Sequence, residues 1–372
     1  MNLVKIIREK SVLILIVITL IMLIAGFWPF NFFPKNKVEW DQGGKGLILH
    51  KPALIASPEL PALPKNFSME FLIQPLSRED SGLARIASLC DSTGIEEIAF
   101  IGQWRTHLAI ESGIRNSHPH KMGIMDALIP GRTILLTVTV GKGRTDLYIN
   151  GVHKRNYPYT LQLPENSPLR ILLGNSPEGK ASWSGVFKGF SLYGRRLHGA
   201  EISEHYGRWI KGKPFQGSTE RDLMLMYPFQ ERSGWIIGDI ANERDIQIKK
   251  DFRPFKPVLL NPIKNDFSWK WNYWQDALVN VFGFAPFGFF TAVALMQSGY
   301  FSLFRVSALT AVAGTLFSFG IEYFQVYLPS RSSQMSDVIC NLLGTILGIV
   351  LFICFIRHLK TLRTNFRRIS DP

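Results

Sequence analysis

The chain has 372 residues, 42 Lys+Arg against 29 Asp+Glu, three Cys and 46% hydrophobic residues. That apolar content excludes a disordered chain, and three Cys exclude a disulfide framework. The length suits about two domains of roughly 100–200 residues each. In chain order, the first element is an uncharged apolar run over 11–27, behind Lys5, Arg8 and Lys10 and ahead of an aromatic exit at Trp28, Phe30, Phe32 and Phe33. No small-x-small cleavage site follows, so it reads as a retained span with an interfacial belt and not as a removed leader. Residues 38–265 read as all-β. Short runs of period two or buried character occur at 67–73, 98–101, 107–110, 133–140, 145–150 and 169–173, separated by Gly, Pro, Asn and Ser. Asn150-Gly151 predicts a tight hairpin, because a type I′ turn needs φ > 0 at both central residues. One short helix is expected near 199–206. A stretch rich in Pro and aromatics, 253–274, then returns along the headgroup layer. Three more apolar runs follow at 277–296, about 304–327 and 338–356, each near the ~20 residues that cross a bilayer core.

Orientation follows from the Lys/Arg bias. Lys5, Arg8 and Lys10, then Arg305, then Arg357, Lys360, Arg363, Arg367 and Arg368 fall on one side of a four-span protein, the cytoplasm. The β-rich insert is then extracytoplasmic. Much of the net charge of +13 is topology signal, so no nucleic-acid partner is expected.

The insert lacks the pair of carboxylates ~5 Å apart that retaining glycoside hydrolysis needs. Glu96 and Glu97 are adjacent and point to opposite faces, and Glu70 stands alone. Catalysis is not expected there. Sugar binding stays open, with Trp104, Arg105, His107, Trp183, His118 and His120 as candidates, against the alternative that the Trp residues are core. Two His at 118 and 120 without a third ligand make a poor metal site. Cys90, Cys340 and Cys354 are expected to stay unpaired, as small apolar residues.

The spans carry a patterned polar set: Asp276, Asn280 and Gly283; Ser318, Glu322 and Gln325; Arg331; and Asp337, Asn341, Gly344 and Gly348. Spacings of three and four put each set on one helix face. Asp276 and Asp337 are expected at helix N-termini, where the dipole favours an anion. Intramembrane ionisable groups face partners or a cavity. Asp276, Asn280, Glu322, Gln325, Arg331, Asp337 and Asn341 are therefore read as one cluster, with Arg331 the partner of Glu322. Two readings stand: a pocket for an amphiphile head group, with Glu322 and Asp337 as the catalytic candidates and Arg331 as a phosphate clamp, or a hydrogen-bond network that holds helices together.

Two resemblances attach to these residues. The run from Leu136 through Asp146-Leu-Tyr-Ile-Asn-Gly-Val152, with Trp183 to Leu197 and Glu201 to Tyr206, resembles the laminin-G-like, concanavalin A-like jelly roll, whose members include lectins, glucanases and adhesion modules. Some members hold calcium; Asp91 and Asn175 are the candidates, and no other cofactor is expected. Asp276, Pro286-Phe287-Gly288, Ile321-Glu322-Tyr-Phe-Gln325, Arg331 and Asp337 to Gly348 resemble the VanZ-like membrane family. That resemblance implies a bacterial membrane protein whose namesake is linked to glycopeptide resistance. Many members have a His soon after the first Asp, near where Asn280 stands here.

The expected fold class is mixed, a four-helix transmembrane bundle plus an inserted β-sandwich. The expected divisions are 1–34 (tail and first helix), 35–252 (sandwich), 253–275 (interfacial linker), 276–356 (helices two to four) and 357–372 (basic tail). The expected function is an envelope protein of the cytoplasmic membrane, its sandwich holding a cell-wall glycan or envelope partner. The alternatives are a protein acting on a lipid-linked envelope precursor through the polar cluster, and a structural subunit of a membrane complex.

Overall fold

A computed structural model of the chain describes residues 3–43, 46–113, 119–212, 221–269 and 271–370. The chain divides into two units. Helix α1 (Leu3–Phe27) belongs with Val258–Pro372 in a helical unit, and Phe33–Pro257 forms a β unit.

The β unit is a two-sheet sandwich, as expected. Its strands are β1 (Val38–Trp40), β2 (Leu47–Leu49), β3 (Ile55–Ala56), β4 (Phe67–Pro75), β5 (Glu79–Asp91), β6 (Glu97–Arg105), β7 (His107–Ser112) and β8 (His120–Ile124). There follow β9 (Ile134–Gly141), β10 (Arg144–Ile149), β11 (Val152–Tyr157), β12 (Leu169–Leu173), β13 (Gly185–Tyr193) and β14 (Leu223–Tyr227), with a small pair β15 (Ile236–Ile237) and β16 (Ile246–Gln247). One antiparallel sheet runs β1-β2-β13-β4-β9-β10-β11, with β14 on β13; the other runs β3-β12-β5-β6-β7-β8. Alternate residues of the facing strands, such as Met69, Phe71, Leu136, Val138, Leu89, Ile101, Ile110 and Ile171, fill the space between them. Asn150 and Gly151 both have positive φ, which closes the β10–β11 hairpin as predicted.

Helix α2 (Gly199–Ile210) covers the outer face of the larger sheet with Ile202 and Trp209 against Leu72, Leu135 and Met226. Under it lies a buried polar knot. Glu70, with no exposed surface, accepts from Ser191 Oγ (3.1 Å) and Trp209 Nε1 (3.2 Å) and lies 3.0 Å from His205 Nδ1. Each partner satisfies a group that would otherwise be buried bare.

The chain enters and leaves the sandwich side by side. Lys35 bridges to Asp251, and Phe252 N donates to Pro34 O at 2.8 Å. Asn36 Nδ2 donates to Leu54 O (2.8 Å) and Lys249 O (3.1 Å), while its Oδ1 accepts from Leu54 N (2.9 Å).

The helical unit adds α3 (Ile263–Asp266), α4 (Trp271–Gln297), α5 (Leu303–Gln325) and α6 (Met335–Ser370). Four stretches, Glu9–Phe27, Trp271–Gln297, Leu303–Gln325 and Met335–Leu359, are long and apolar enough to cross a membrane. Glycines set the close packing of α4 on α6. A Cβ at Gly344 would lie 2.1 Å from Val281 O, one at Gly348 2.2 Å from Ala285 O, and one at Gly288 2.3 Å from Thr345 O.

Two helix boundaries differ from expectation. Helix α4 starts at Trp271, so Asp276 lies in its second turn and loses the full N-terminal dipole placement; Trp271 to Gln275 contains no helix breaker. Only Asp337 sits in a first turn, that of α6. Helix α6 continues to Ser370, because no Gly or Pro interrupts the basic tail.

Candidate functional site

In the helical unit the polar set divides into three groups. Asp276 of α4 and Asp337 of α6 line one cavity of about 230 Å³, together with Asn272, Tyr273, Gln334 and Ser336. Among the described residues no Lys or Arg lines it. Glu322, 1% exposed on α5, stands behind that wall, its Oε2 accepting the backbone N–H of Gln334 at 2.8 Å. The loop between α5 and α6, which carries Gln334, is stitched in place by Leu260 N to Ser333 Oγ (2.9 Å) and Asn261 N to Ser333 O (2.9 Å).

Arg331 and Gln325 form the second group. Arg331 donates to Ala25 O (3.0 Å) and Trp28 O (3.2 Å), and Gln325 Nε2 donates to Gly26 O (2.9 Å). These carbonyls have no intrahelical partner at the C-terminal end of α1, where a cation also suits the dipole. Arg331 thus caps α1 and is not among the described residues that line the cavity. In the third group, Asn341 is buried and donates to Ser318 Oγ at 2.8 Å, while its Oδ1 has no partner among the described residues. Asn280, one turn below Asp276, is half-buried and does not line the cavity.

Carboxylates, a phenol and an amide around one concavity accept hydrogen bonds from hydroxyl or ammonium groups.

In the sandwich the two tryptophans part company. Trp104, at the end of β6, is 47% exposed. The Arg105 guanidinium lies 5.0 Å from its ring and the His107 ring 5.5 Å away. The turn is held by His107 Nδ1, which accepts Asp126 N at 3.0 Å, and by Thr106 Oγ1, which donates to Asp126 Oδ1 at 2.6 Å. Trp183 has no exposed surface, so it cannot offer a platform. Its Nε1 donates to Gln103 Oε1 at 2.7 Å and its ring roofs Gly185, where any Cβ would lie 2.0 Å away. It is core, held by a satisfied indole.

His118 lies outside the described residues, and His120 is half-buried against Tyr159, with ring centroids 4.2 Å apart. Asp91 accepts from Ile95 N (3.0 Å), Glu96 N (3.0 Å) and Thr93 Oγ1 (2.6 Å), while Asn175 Oδ1 accepts from Ser176 N (2.9 Å) and Ala181 N (3.0 Å). Both side chains therefore serve turns. Burial pushes the Cys90 thiol up, away from the thiolate. The knot around Glu70 had no sequence signal, since its partners lie 121 to 139 residues away.

With this geometry in hand, the family comparisons agree on both parts. Residues 223–357 match the family model described as VanZ/LLP1, and residues 52–203 match that of the concanavalin A-like lectin/glucanases superfamily. The chain thus joins a VanZ-like part with membrane-length helices to a laminin-G-like sandwich, and it is a membrane protein.

No curated protein matches the chain. Among solved structures, it is similar to the receptor-binding domain of botulinum neurotoxin type G (14% identity, 46% of this chain, 45% of that one, TM-score 0.36). It is also similar to a structure titled a putative carbohydrate binding protein from Bacteroides ovatus (12%, 54% and 60%, 0.38). A third is a pentraxin from Limulus polyphemus (14%, 58% and 94%, 0.37). The chain spans about half the length of the first two.

Proposed function

We propose that this is a multi-pass protein of a bacterial cytoplasmic membrane, termini inside, whose extracytoplasmic sandwich binds an envelope glycan at the Trp104 ridge. The orientation rests on the Lys/Arg bias of the flanking segments. The observation that carries the binding reading is the half-exposed Trp104 ring between Arg105 and His107, an apolar face flanked by hydrogen-bonding groups on a lectin-type fold. The test is co-sedimentation of the detergent-solubilised chain with purified cell-wall glycan. Trp104→Ala should lower binding at least tenfold with its melting temperature unchanged; equal binding by parent and variant sinks the reading.

A second reading is favoured by the shared cavity of Asp276 and Asp337: the helical unit holds the hydroxyl- or amine-bearing head group of an amphiphile. Asp337, on the cavity wall, is then the better placed of the two acid/base candidates, and Glu322 supports it through Gln334. A lipid-extract panel that includes polyprenyl phosphates should raise the melting temperature of the parent in detergent. Asp276→Asn and Asp337→Asn should abolish that rise while melting like the parent without lipid. A rise that survives both changes excludes this cavity.

A further inference from the structure

The sandwich carries a second concavity whose walls share no residue with the Trp104 ridge. It measures about 410 Å³, within the usual range for small-ligand sites. Ser57, which follows β3, forms one side, Arg170 of β12 another, and Asp245 to Phe255 the rest.

Three cations line it: Arg170, Lys249 and Arg253. Arg253 has a carboxylate near it, Asp251 at 3.7 Å. Arg170 does not. Its Nη1 donates to Ser57 O (2.7 Å) and its Nε to Ser92 O (3.1 Å), both neutral carbonyls. Among the described residues no ion pair involves Arg170 or Lys249. Both charges nevertheless lie over the same ring, that of Phe255, with Arg170 Cζ at 5.7 Å and Lys249 Nζ at 5.6 Å. Two like charges gathered on one wall repel each other until an anion arrives. The guanidinium is also already ordered by its two carbonyls, so little of its freedom is lost when a ligand binds.

The remaining walls are not those of a simple anion trap. Asp245, Gln247 and Asp251 add acceptors and an amide. Asp245 Oδ1 takes the Asp239 backbone N–H at 2.9 Å, which leaves its second oxygen to receive a hydroxyl. A lipid surface is met by basic clusters on an open face. A concavity with two carboxylates in its wall suits a discrete polyol that carries one negative group.

We propose that this groove binds an anionic saccharide, its carboxylate or phosphate between Arg170 and Lys249 and its hydroxyls on Gln247 and Asp245. This site is separate from the Trp104 ridge and is tested apart from it.

The experiment is calorimetric titration of the full-length chain in detergent with three probes: an oligogalacturonate, a ribitol-phosphate oligomer and a neutral galacto-oligosaccharide. One or both anionic oligomers should bind, and which one identifies carboxylate or phosphate as the recognised group. Binding should weaken at least tenfold from 50 to 500 mM NaCl, and the neutral oligomer should give no heat. Lys249→Glu, an exposed position whose fold is checked by circular dichroism, should cut affinity at least tenfold; Trp104→Ala should leave it unchanged. Equal binding of the neutral oligomer, no binding of either anionic one, or full affinity in Lys249→Glu overturns the proposal. Binding to phosphatidylglycerol vesicles that Lys249→Glu abolishes, with neither oligomer bound, overturns it in favour of a lipid surface.

Discussion

The two units solve burial in opposite ways. The sandwich hides Leu, Ile, Phe and Trp between its sheets, and its ion pairs range from the buried Asp146–Arg196 to the exposed Lys65–Glu165. The helical unit buries Thr310, Ser318, Glu322, Asn341 and Thr345, and turns Leu13, Ile16, Leu20, Val312, Leu316 and Val350 outward. Apolar side chains of the kind that the sandwich buries also cover the outside of the helical unit, because the surrounding medium differs. In water apolar area drives burial. In a bilayer the outward apolar face costs nothing, and close contact and hydrogen bonds hold helices together.

The contrast can be broken or sharpened by four substitutions. The largest effect is expected for Trp183→Ala, which empties the sandwich core and strips Gln103 Oε1 of its donor. It should cost about 3–5 kcal/mol, read by thermal unfolding of the β signal. Next is Leu20→Lys on α1, at a position 53% exposed. If that face meets lipid, insertion should suffer by about 2.5–3.5 kcal/mol, measured as the membrane-inserted fraction. Unchanged insertion would mean that the face is wet.

Third is Asp146→Asn. Asp146 is almost fully buried and held by Arg196, by Arg144 Nε at 3.1 Å and by His153 Nε2 at 3.0 Å. Burial alone would raise its carboxyl, but the His153 and Arg196 hydrogen bonds and the two arginine charges outweigh this and hold it below the ordinary range. A lowered folded value means that the stabilisation is complete above about pH 4 and is lost as pH falls through that lowered value. Arg195 and the backbone of His198 hold Glu201 down in the same sense. The variant should lose about 1–3 kcal/mol at neutral pH, and its melting temperature should fall less than the parent's between pH 5 and 2. Smallest is Val152→Lys, at 57% exposure on β11. It should stay within about 0.5 kcal/mol of the parent, so that a lysine at matched exposure separates the two media.

Strands and spans were largely legible in the sequence. Leu169–Leu173 falls where its apolar run ends, and the positive φ of Asn150 and Gly151 follows from their residue types. What could not be read was which distant residues meet. Trp104 and Trp183 look alike locally; only packing against Gln103 and Gly185 makes one of them core. Glu322 and Arg331 suggest a pair by proximity in sequence. The carbonyls that Arg331 takes belong to a helix some 300 residues earlier, and spacing rules within one helix carry no such information. The basic groove was hidden for the same reason, since Arg170 and Lys249 come from distant segments and converge only on Phe255.

The paired chain ends at Lys35 and Asp251 have an entropic consequence for assembly. The 225 residues of Phe33–Pro257 separate α1 from the remaining helices in the chain. As an unfolded loop they would make the meeting of those helices a rare event. Once the sandwich closes, the stretch between Phe27 and Trp271 behaves as a loop of only about 30 residues. At ~0.6 kcal/mol per doubling of loop length, about three doublings are removed, close to 2 kcal/mol. Folding of the sandwich therefore acts as a tether that raises the effective concentration of α1 near its partners, without adding a contact to any of them.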